Sequence, residues 1–464
     1  MLCHHARTLR GGQCRQGRFH HDPAGEAYKS VTPDTCPPQS EAGHWWLVPQ
    51  TPGAPANTLE VDHKDATRPC IETDDGSTVT ELLNSRTTHF SHEFPPDTFT
   101  RDAAVRAYPA LFRALEPLSN ASVKDLGVKN PCWASGSRWR CLPYFYLLGA
   151  PKCGTTTLNK VMCSHAEIAC EGGKESRFWS SWGILQHTGE VRRRMQTLAD
   201  FTLWNDANAR RVANDSSRRV VFGDASADTF FQFALDGAQT DRARFECGEA
   251  NGGARPLVPV PAVLAAAQPD ARLLVTLREP VARAWSHYLF VKGDLRHQPT
   301  SANDFDAVMT AEVRAYLRCE HALGAACAFG VKGSLADARA SALNPNFPGL
   351  NIGLYVLHLD VWRRAFARDA LLVLRFEDFI LRPQRVLAQV AAHLGLGAPF
   401  DKASLAVPHE NPTKHGHGAG MHTSTNAMLR RFFAPFNDEL ARTLGDHCFT
   451  WPDADIAPEC HRDG

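Results

Sequence analysis

The chain has 464 residues, 43% of them hydrophobic, with 50 basic and 50 acidic side chains and a formal net charge of zero. That length supports a large core and one big domain or two, while the balanced charge argues against a general nucleic-acid or membrane-surface binder. No run reaches the apolar length needed to span a membrane, and Met1 to His20 hold no apolar signal-peptide core, so the targeting segment is expected to lie outside this chain or the protein to be soluble where it is made.

In chain order, residues 1–129 are expected to be an irregular, partly disordered region. Thr32 to Thr58, rich in Pro and Thr, has the composition of loops. Order is expected to begin between Phe94 and Leu118, where YPALFRALEPL has helical spacing. Residues 130–464 are expected to form the second unit.

The most informative stretch is PYFYLLGAPKCGTTTL, Pro143 to Leu158. Tyr144 to Leu148 have the pattern of a buried parallel strand. A glycine turn, Gly149 to Gly154, follows, and Thr155, Thr156 and Thr157 open a helix. A strand, a tight turn and a helix N-terminus form an anion site, because backbone N–H groups and the helix dipole point at one place. The expected ligand is a phosphate, although a plain glycine turn has the same outline. Gly149 and Gly154 keep the spacing of a nucleotide triphosphatase loop, yet Thr155 stands where its lysine belongs and Lys152 lies inside the turn. Metal-assisted nucleotide hydrolysis loses support accordingly.

A second strand is predicted at Arg219–Gly223, ending at Asp224. A third, Leu273 to Leu277, precedes Arg278 and a helix with Pro280 in its first turn. Arg278 falls at a strand C-terminus, where ligands of open α/β sheets bind. Ser286 is two helical turns further on and can face the same anion. Taken alone, Arg278 fits a structural ion pair as well. Residues 296–351 carry weak strand signal, as lids and substrate loops do. A helix over Gly353–Arg368, a strand over Leu371–Arg375 and a helix over Pro383–Leu394 follow. This alternation predicts an α/β fold: a P-loop-type parallel sheet flanked by helices, with an irregular N-terminal extension.

GAPKCGTTTL resembles the 5′-phosphosulfate loop of sulfotransferases that use 3′-phosphoadenosine-5′-phosphosulfate (PAPS), and ARLLVTLREPVARAWSHYLF resembles their 3′-phosphate site. GLYVLHLDVWRRAFARDALLVLRFEDF and MLRRFFAPFNDELARTLGD are similar to late blocks of the Golgi carbohydrate sulfotransferases. NPCWASGSRWRCLPYFYLLGAPKCGTTTL and GDASADTF are closest in look to the branch that sulfates N-acetylgalactosamine 4-sulfate at O6. The resemblance covers most of residues 130–450. It implies a PAPS-dependent transferase acting on a glycan in the Golgi lumen or secretory pathway, with no metal and no nucleic-acid or membrane partner.

The resemblance also assigns roles. Lys152, Cys153, Gly154, Thr155, Thr156 and Thr157 would hold the 5′ end of PAPS, and Arg278 and Ser286 its 3′-phosphate. Glu175 matches the family's KE-x-x-(F/W) element and would be the general base. Lys174 beside it would bind the transferring sulfonate or the acceptor's charge. The bland alternative for this pair is ordinary surface charge. His165 is a rival base. Lysine is absent from Gly223 to Asp228, which removes one cation the family carries, and Asp224 either contacts the acceptor or ends its strand. Lys414 and Gly416, in a late Gly-, His- and Thr-rich loop, are candidates for phosphate contact. Tyr355 lines the cofactor pocket or belongs to the core. A nucleoside or sugar kinase and a non-catalytic PAPS- or glycan-binding protein are the rivals.

Of fourteen cysteines, Cys132 and Cys141, Cys319 and Cys327, and Cys448 and Cys460 bracket short loops. With the resemblance they are expected as disulfides of a lumenal protein; reduced cysteines of a cytosolic enzyme are the alternative. Cys153, Cys163 and Cys170 are expected to be free thiols.

Overall fold

Three apolar runs and one two-residue strand pair into one parallel sheet in this computed structural model of the chain. It describes residues 5–10, 13–18, 44–47, 59–62, 77–119, 127–180, 197–232, 258–295, 297–329, 349–401, 420–453 and 458–460. Strands β1 (His5–Arg10) and β2 (Gln13–Arg18) pair antiparallel, as do β3 (His44–Leu47) and β4 (Leu59–Asp62). Short helices at Val79–Asn84, Arg101–Ala107 and Pro109–Leu115 follow. The first of these precedes the stretch where order was expected to begin. It is only six residues long, too short to show periodicity, and is fixed by reciprocal capping between Thr78 and Glu81.

A hairpin, β5 (Cys132–Ser135) with β6 (Arg138–Cys141), leads into β7 (Phe145–Gly149). The parallel sheet runs β10–β9–β7–β8, with β8 at Gly223–Asp224, β9 at Arg272–Leu277 and β10 at Leu371–Arg375. Every residue of β7 is buried. Tyr146 and Leu148 pack in one core and Phe145 and Leu147 in another, so the two-residue period of the strand feeds both faces of the sheet.

Two elements differ from expectation. The strand predicted over Arg219–Gly223 becomes β8 only at Gly223, and Val221 before it bridges Ile168 outside the sheet. The helix predicted over Gly353–Arg368 spans Tyr355–Ala365, behind a 3₁₀ turn at Asn351–Gly353. Helix Pro383–Leu394 has its predicted bounds and ends on Gly395 in the left-handed conformation. Within the 296–351 stretch, Ala302–Leu323 form a long helix capped by the Ser301 hydroxyl. Among the described residues no helix is long and apolar enough to cross a membrane.

Cys132–Cys141, Cys319–Cys327 and Cys448–Cys460 are bonded as expected. Cys163 and Cys170 are bonded too, correcting their reading as free thiols. Cys163 ends the Thr155–Cys163 helix, and the turn after it returns Cys170 to within 5.6 Å between Cα atoms, inside the usual range for a bridge. Cys153 is the free cysteine among the described residues, and it is buried. Replacing Cys163 and Cys170 together by Ser should lower stability by about 2–4 kcal/mol in urea denaturation under oxidising conditions; an unchanged midpoint would mean the bridge contributes nothing.

Candidate active site

The turn after β7 is built for close approach. Gly154 caps the Thr155–Cys163 helix in the left-handed region, φ 76°, with no side-chain cap. A Cβ there would lie 2.7 Å from the Phe376 ring. Lys152 is itself left-handed, φ 65°, a conformation that costs about 1–3 kcal/mol in a non-glycine residue and collects at functional sites. The first helical turn leaves N–H groups without intrahelical acceptors. Thr155 and Thr157 are buried. Cys153 is fully buried beneath the loop, and burial pushes its thiol up to about 11.

Three cations meet here. Arg278, directly after β9, donates from Nη1 to the Lys152 carbonyl at 3.3 Å and lies 5.1 Å from the Phe376 ring. Lys152 Nζ sits 4.2 Å over the Phe290 ring. Burial pulls the Lys152 ammonium down to about 8; Asp294 opposes this, while Arg278 and Lys174 reinforce it. Neither Lys152 nor Arg278 forms an ion pair with a carboxylate among the described residues. A cluster only partly compensated, by Asp294 near Lys152 and by Glu175 on Lys174, fits a polyanionic ligand.

Glu175 and Lys174 are not idle surface charges. Lys174 Nζ donates to Thr156 Oγ1 at 3.2 Å and to Glu175 Oε1 at 2.5 Å, tying the turn to the carboxylate. Arg177 Nη2 reaches Glu175 Oε2 at 2.7 Å. Burial pushes the Glu175 carboxyl up, but Lys174 and Arg177 outweigh it and hold the group below its ordinary range. Glu175 and Arg177 both have positive φ, 65° and 57°. The buried Asp224 accepts from the Ser176 N–H at 3.3 Å, so it anchors this loop from the end of β8.

His165 is committed elsewhere. It is buried, its Nδ1 accepts from the Glu167 N–H at 3.1 Å, and its other nitrogen bonds the Ala398 carbonyl. Tyr355 is buried under the site, its hydroxyl donating to the Arg278 carbonyl at 2.9 Å and lying 3.8 Å from Cys153 Sγ. Ser286 sits half-buried near the end of the Pro280–Tyr288 helix, with no hydrogen bond to Arg278. Trp179 and Trp362 are core. Lys414 and Gly416 lie outside the described residues.

Arg177, Asp228 and Phe376 escaped the sequence reading. Arg177 lies two residues past Glu175, and Asp228 closes the segment that begins at Asp224, so spacing from recognised positions was the available signal.

Because Lys152 must be protonated to hold an anion, affinity for adenosine 3′,5′-bisphosphate should fall as pH rises past about 8, with proton uptake on binding in that range. Calorimetry in buffers of different ionisation enthalpy measures both, and Lys152→Arg should flatten the dependence. Constant affinity across that range in the wild type would remove Lys152 from the site. Gly154→Ala should weaken the same ligand at least about tenfold, given the strain and the Phe376 clash.

The sequence pattern of the sulfotransferase family matches residues 143–333, which take in the turn, Lys174, Glu175 and Arg278. Carbohydrate sulfotransferase 15 of Rattus norvegicus is 30% identical over 335 residues, covering 68% of this chain and 55% of that protein. The Homo sapiens protein of the same name matches at the same identity and coverage. The chain thus spans about half the length of the curated relatives it matches. A solved sulfotransferase from Alicyclobacillus acidocaldarius aligns at 22% identity and a TM-score of 0.41, over 66% of this chain and 96% of that one. Over residues 143–333, then, the chain carries the sequence pattern of the sulfotransferase family.

Proposed function

We propose that this protein transfers the sulfuryl group of PAPS to a hydroxyl of a glycan, a glycosaminoglycan-like or sulfated polysaccharide, in the Golgi lumen. The observation that carries the reading is Lys174, whose ammonium joins Thr156 of the anion turn to Glu175. Donor loop and base are thereby one unit. The residues fit the donor: a cradle closed by Phe376 at Gly154, three cations without ion-paired carboxylates on two of them, and helix N–H groups. PAPS supplies a sulfuryl group already bonded to a stable leaving phosphate.

The chain's own residues do the rest. Lys152 and the amides of Gly154 to Thr157 hold the 5′ end and the charge that develops on it. Arg278, with Ser286, takes the 3′-phosphate, for which a guanidinium fork is suited. Lys414 and Gly416 are assigned to further phosphate contact on the sequence resemblance alone. Cys153 and Tyr355 support the turn from below. Glu175 accepts the acceptor's hydroxyl proton as the oxygen–sulfur bond forms and the bond from sulfur to the phosphate oxygen breaks. Lys174 neutralises the sulfonate in flight. With this much positive charge from side chains, the transfer needs no metal. The four bridges among the described residues suit an oxidising compartment. The N-acetylgalactosamine 4-sulfate 6-O branch is the acceptor class to test first.

Labelled PAPS with a panel of chondroitin, dermatan, heparan and galactan acceptors tests the reading; ATP- and magnesium-dependent turnover in its place would favour a kinase. Glu175→Gln should cut transfer about 10²–10⁴-fold while leaving affinity for adenosine 3′,5′-bisphosphate nearly unchanged, since Glu175 serves the acceptor. Near wild-type turnover would remove it as the base. Arg278→Ala should abolish the preference for the bisphosphate over adenosine 5′-monophosphate; a mutant that keeps the preference puts the 3′ site elsewhere.

A further inference from the structure

Asp228 is a buried carboxylate, 6% exposed, and neither of its oxygens has a hydrogen bond of ordinary geometry, only the looser approach of the Ser180 hydroxyl and of its own N–H. Leaving such a group unsatisfied costs about 1–3 kcal/mol or more, and a native structure that does so needs a reason. The backbone around it is fixed: the Thr229 N–H bonds the Ser226 carbonyl at 3.1 Å and the Phe230 N–H bonds the Leu148 carbonyl at 2.8 Å. The charged groups facing Asp228 are Arg177 and Glu175, both from the loop that follows the anion turn, and Ser180 adds a hydroxyl. Arg177 Nε stands 3.9 Å from Asp228 Oδ2 while its Nη2 holds Glu175 at 2.7 Å. The Arg177 backbone N–H is tied to Ser226 Oγ at 2.9 Å, so the base of the arginine is clamped to the segment that carries Asp228.

Glu175 in this arrangement is a weakened base. Two cations hold it, and a proton acceptor so stabilised has little drive to take a proton. A transferring sulfonate offers Lys174 another partner, but Arg177 would still occupy Glu175. We propose that Asp228 is the waiting counter-ion of Arg177: when donor and acceptor fill the site, the guanidinium passes from Glu175 to Asp228 and leaves Glu175 free to take the acceptor proton. This rests on the sulfuryl-transfer reading. The movement is small, since 3.9 Å has only to close to the roughly 2.7–2.9 Å of a charge-assisted pair. Asp228 is shut off from solvent, so it acts through Arg177 as a positioning residue. Burial pushes its carboxyl up to about 6 against the pull of Arg177, as expected of a group whose partner is not yet fully engaged.

The test follows the carboxyl directly. In infrared titration of the full chain, the carboxyl band lost in Asp228→Asn should have a midpoint near about 6 without ligand. With adenosine 3′,5′-bisphosphate and chondroitin 4-sulfate both present it should fall by about one unit, a tenfold change in proton affinity. An unmoved midpoint overturns the proposal. In kinetics, Asp228→Asn keeps Arg177 on Glu175, so kcat should drop about tenfold and its acid limb move to lower pH, with the KM for PAPS nearly unchanged. Arg177→Gln frees Glu175, and the limb should move the opposite way, which a folding defect would not produce. Limbs that stay put, or a loss confined to PAPS affinity, overturn the counter-ion role alone. Absence of transfer by the wild type to every glycan overturns the transfer reading beneath it.

Discussion

Gathering Lys152, Lys174 and Arg278 around one turn is electrostatically costly, and much of the structure serves to hold them there. Burial pulls the Lys152 ammonium down to about 8, and the like charges of Arg278 and Lys174 add to it against the pull of Asp294. The cations are not quieted by carboxylates in the usual way. Lys152 lies over Phe290 and Arg278 over Phe376, whose ring faces attract a cation without cancelling its charge. Among the described residues Lys174 is the one of the three in a carboxylate ion pair, and its partner is the proposed base. The site therefore keeps its positive potential for a ligand, and the cost of assembling it is met by the doubly covered sheet behind it.

That sheet was legible in the sequence, because parallel strands covered on both faces are continuous apolar runs: Phe145–Gly149, Arg272–Leu277 and Leu371–Arg375 all fell within a residue of expectation. β8 was not, since two paired residues leave almost no pattern. The anion turn was visible in its glycines, and Lys152 and Arg278 in their placement beside strand ends. What the sequence could not show is how these parts meet. Nothing in the order of residues says that Lys174 bonds Thr156, eighteen positions back, or that Arg177 lies between Glu175 and Asp228. Those contacts depend on left-handed backbone at Glu175 and Arg177, residue types that carry no signal for it. The Cys163–Cys170 bridge was missed for a related reason. The bridge closes across the turn that follows the Thr155–Cys163 helix, and the order of residues does not show that this turn brings the two together.

The spacing between the two proposed phosphate sites is set far along the chain. Phe376, first residue after β10, presses on Gly154 and lies under Arg278, so one ring gauges the distance from the 5′ site to the 3′ site. Its neighbour Glu377 accepts from the Glu279 N–H at 2.9 Å with one oxygen and from Trp451 Nε1 at 3.0 Å with the other. Glu279 in turn caps the helix that carries Ser286. Arg375 donates to the Cys460 carbonyl at 2.8 Å, and Cys460 is bridged to Cys448, three residues before Trp451. The C-terminal bridge thus closes a ring of contacts around the segment that holds Arg278. Ligands of open α/β sheets lie where strand ends diverge, which is where loops are freest to move. A covalent clasp behind β10 supplies at that edge the rigidity that the sheet interior has from packing alone.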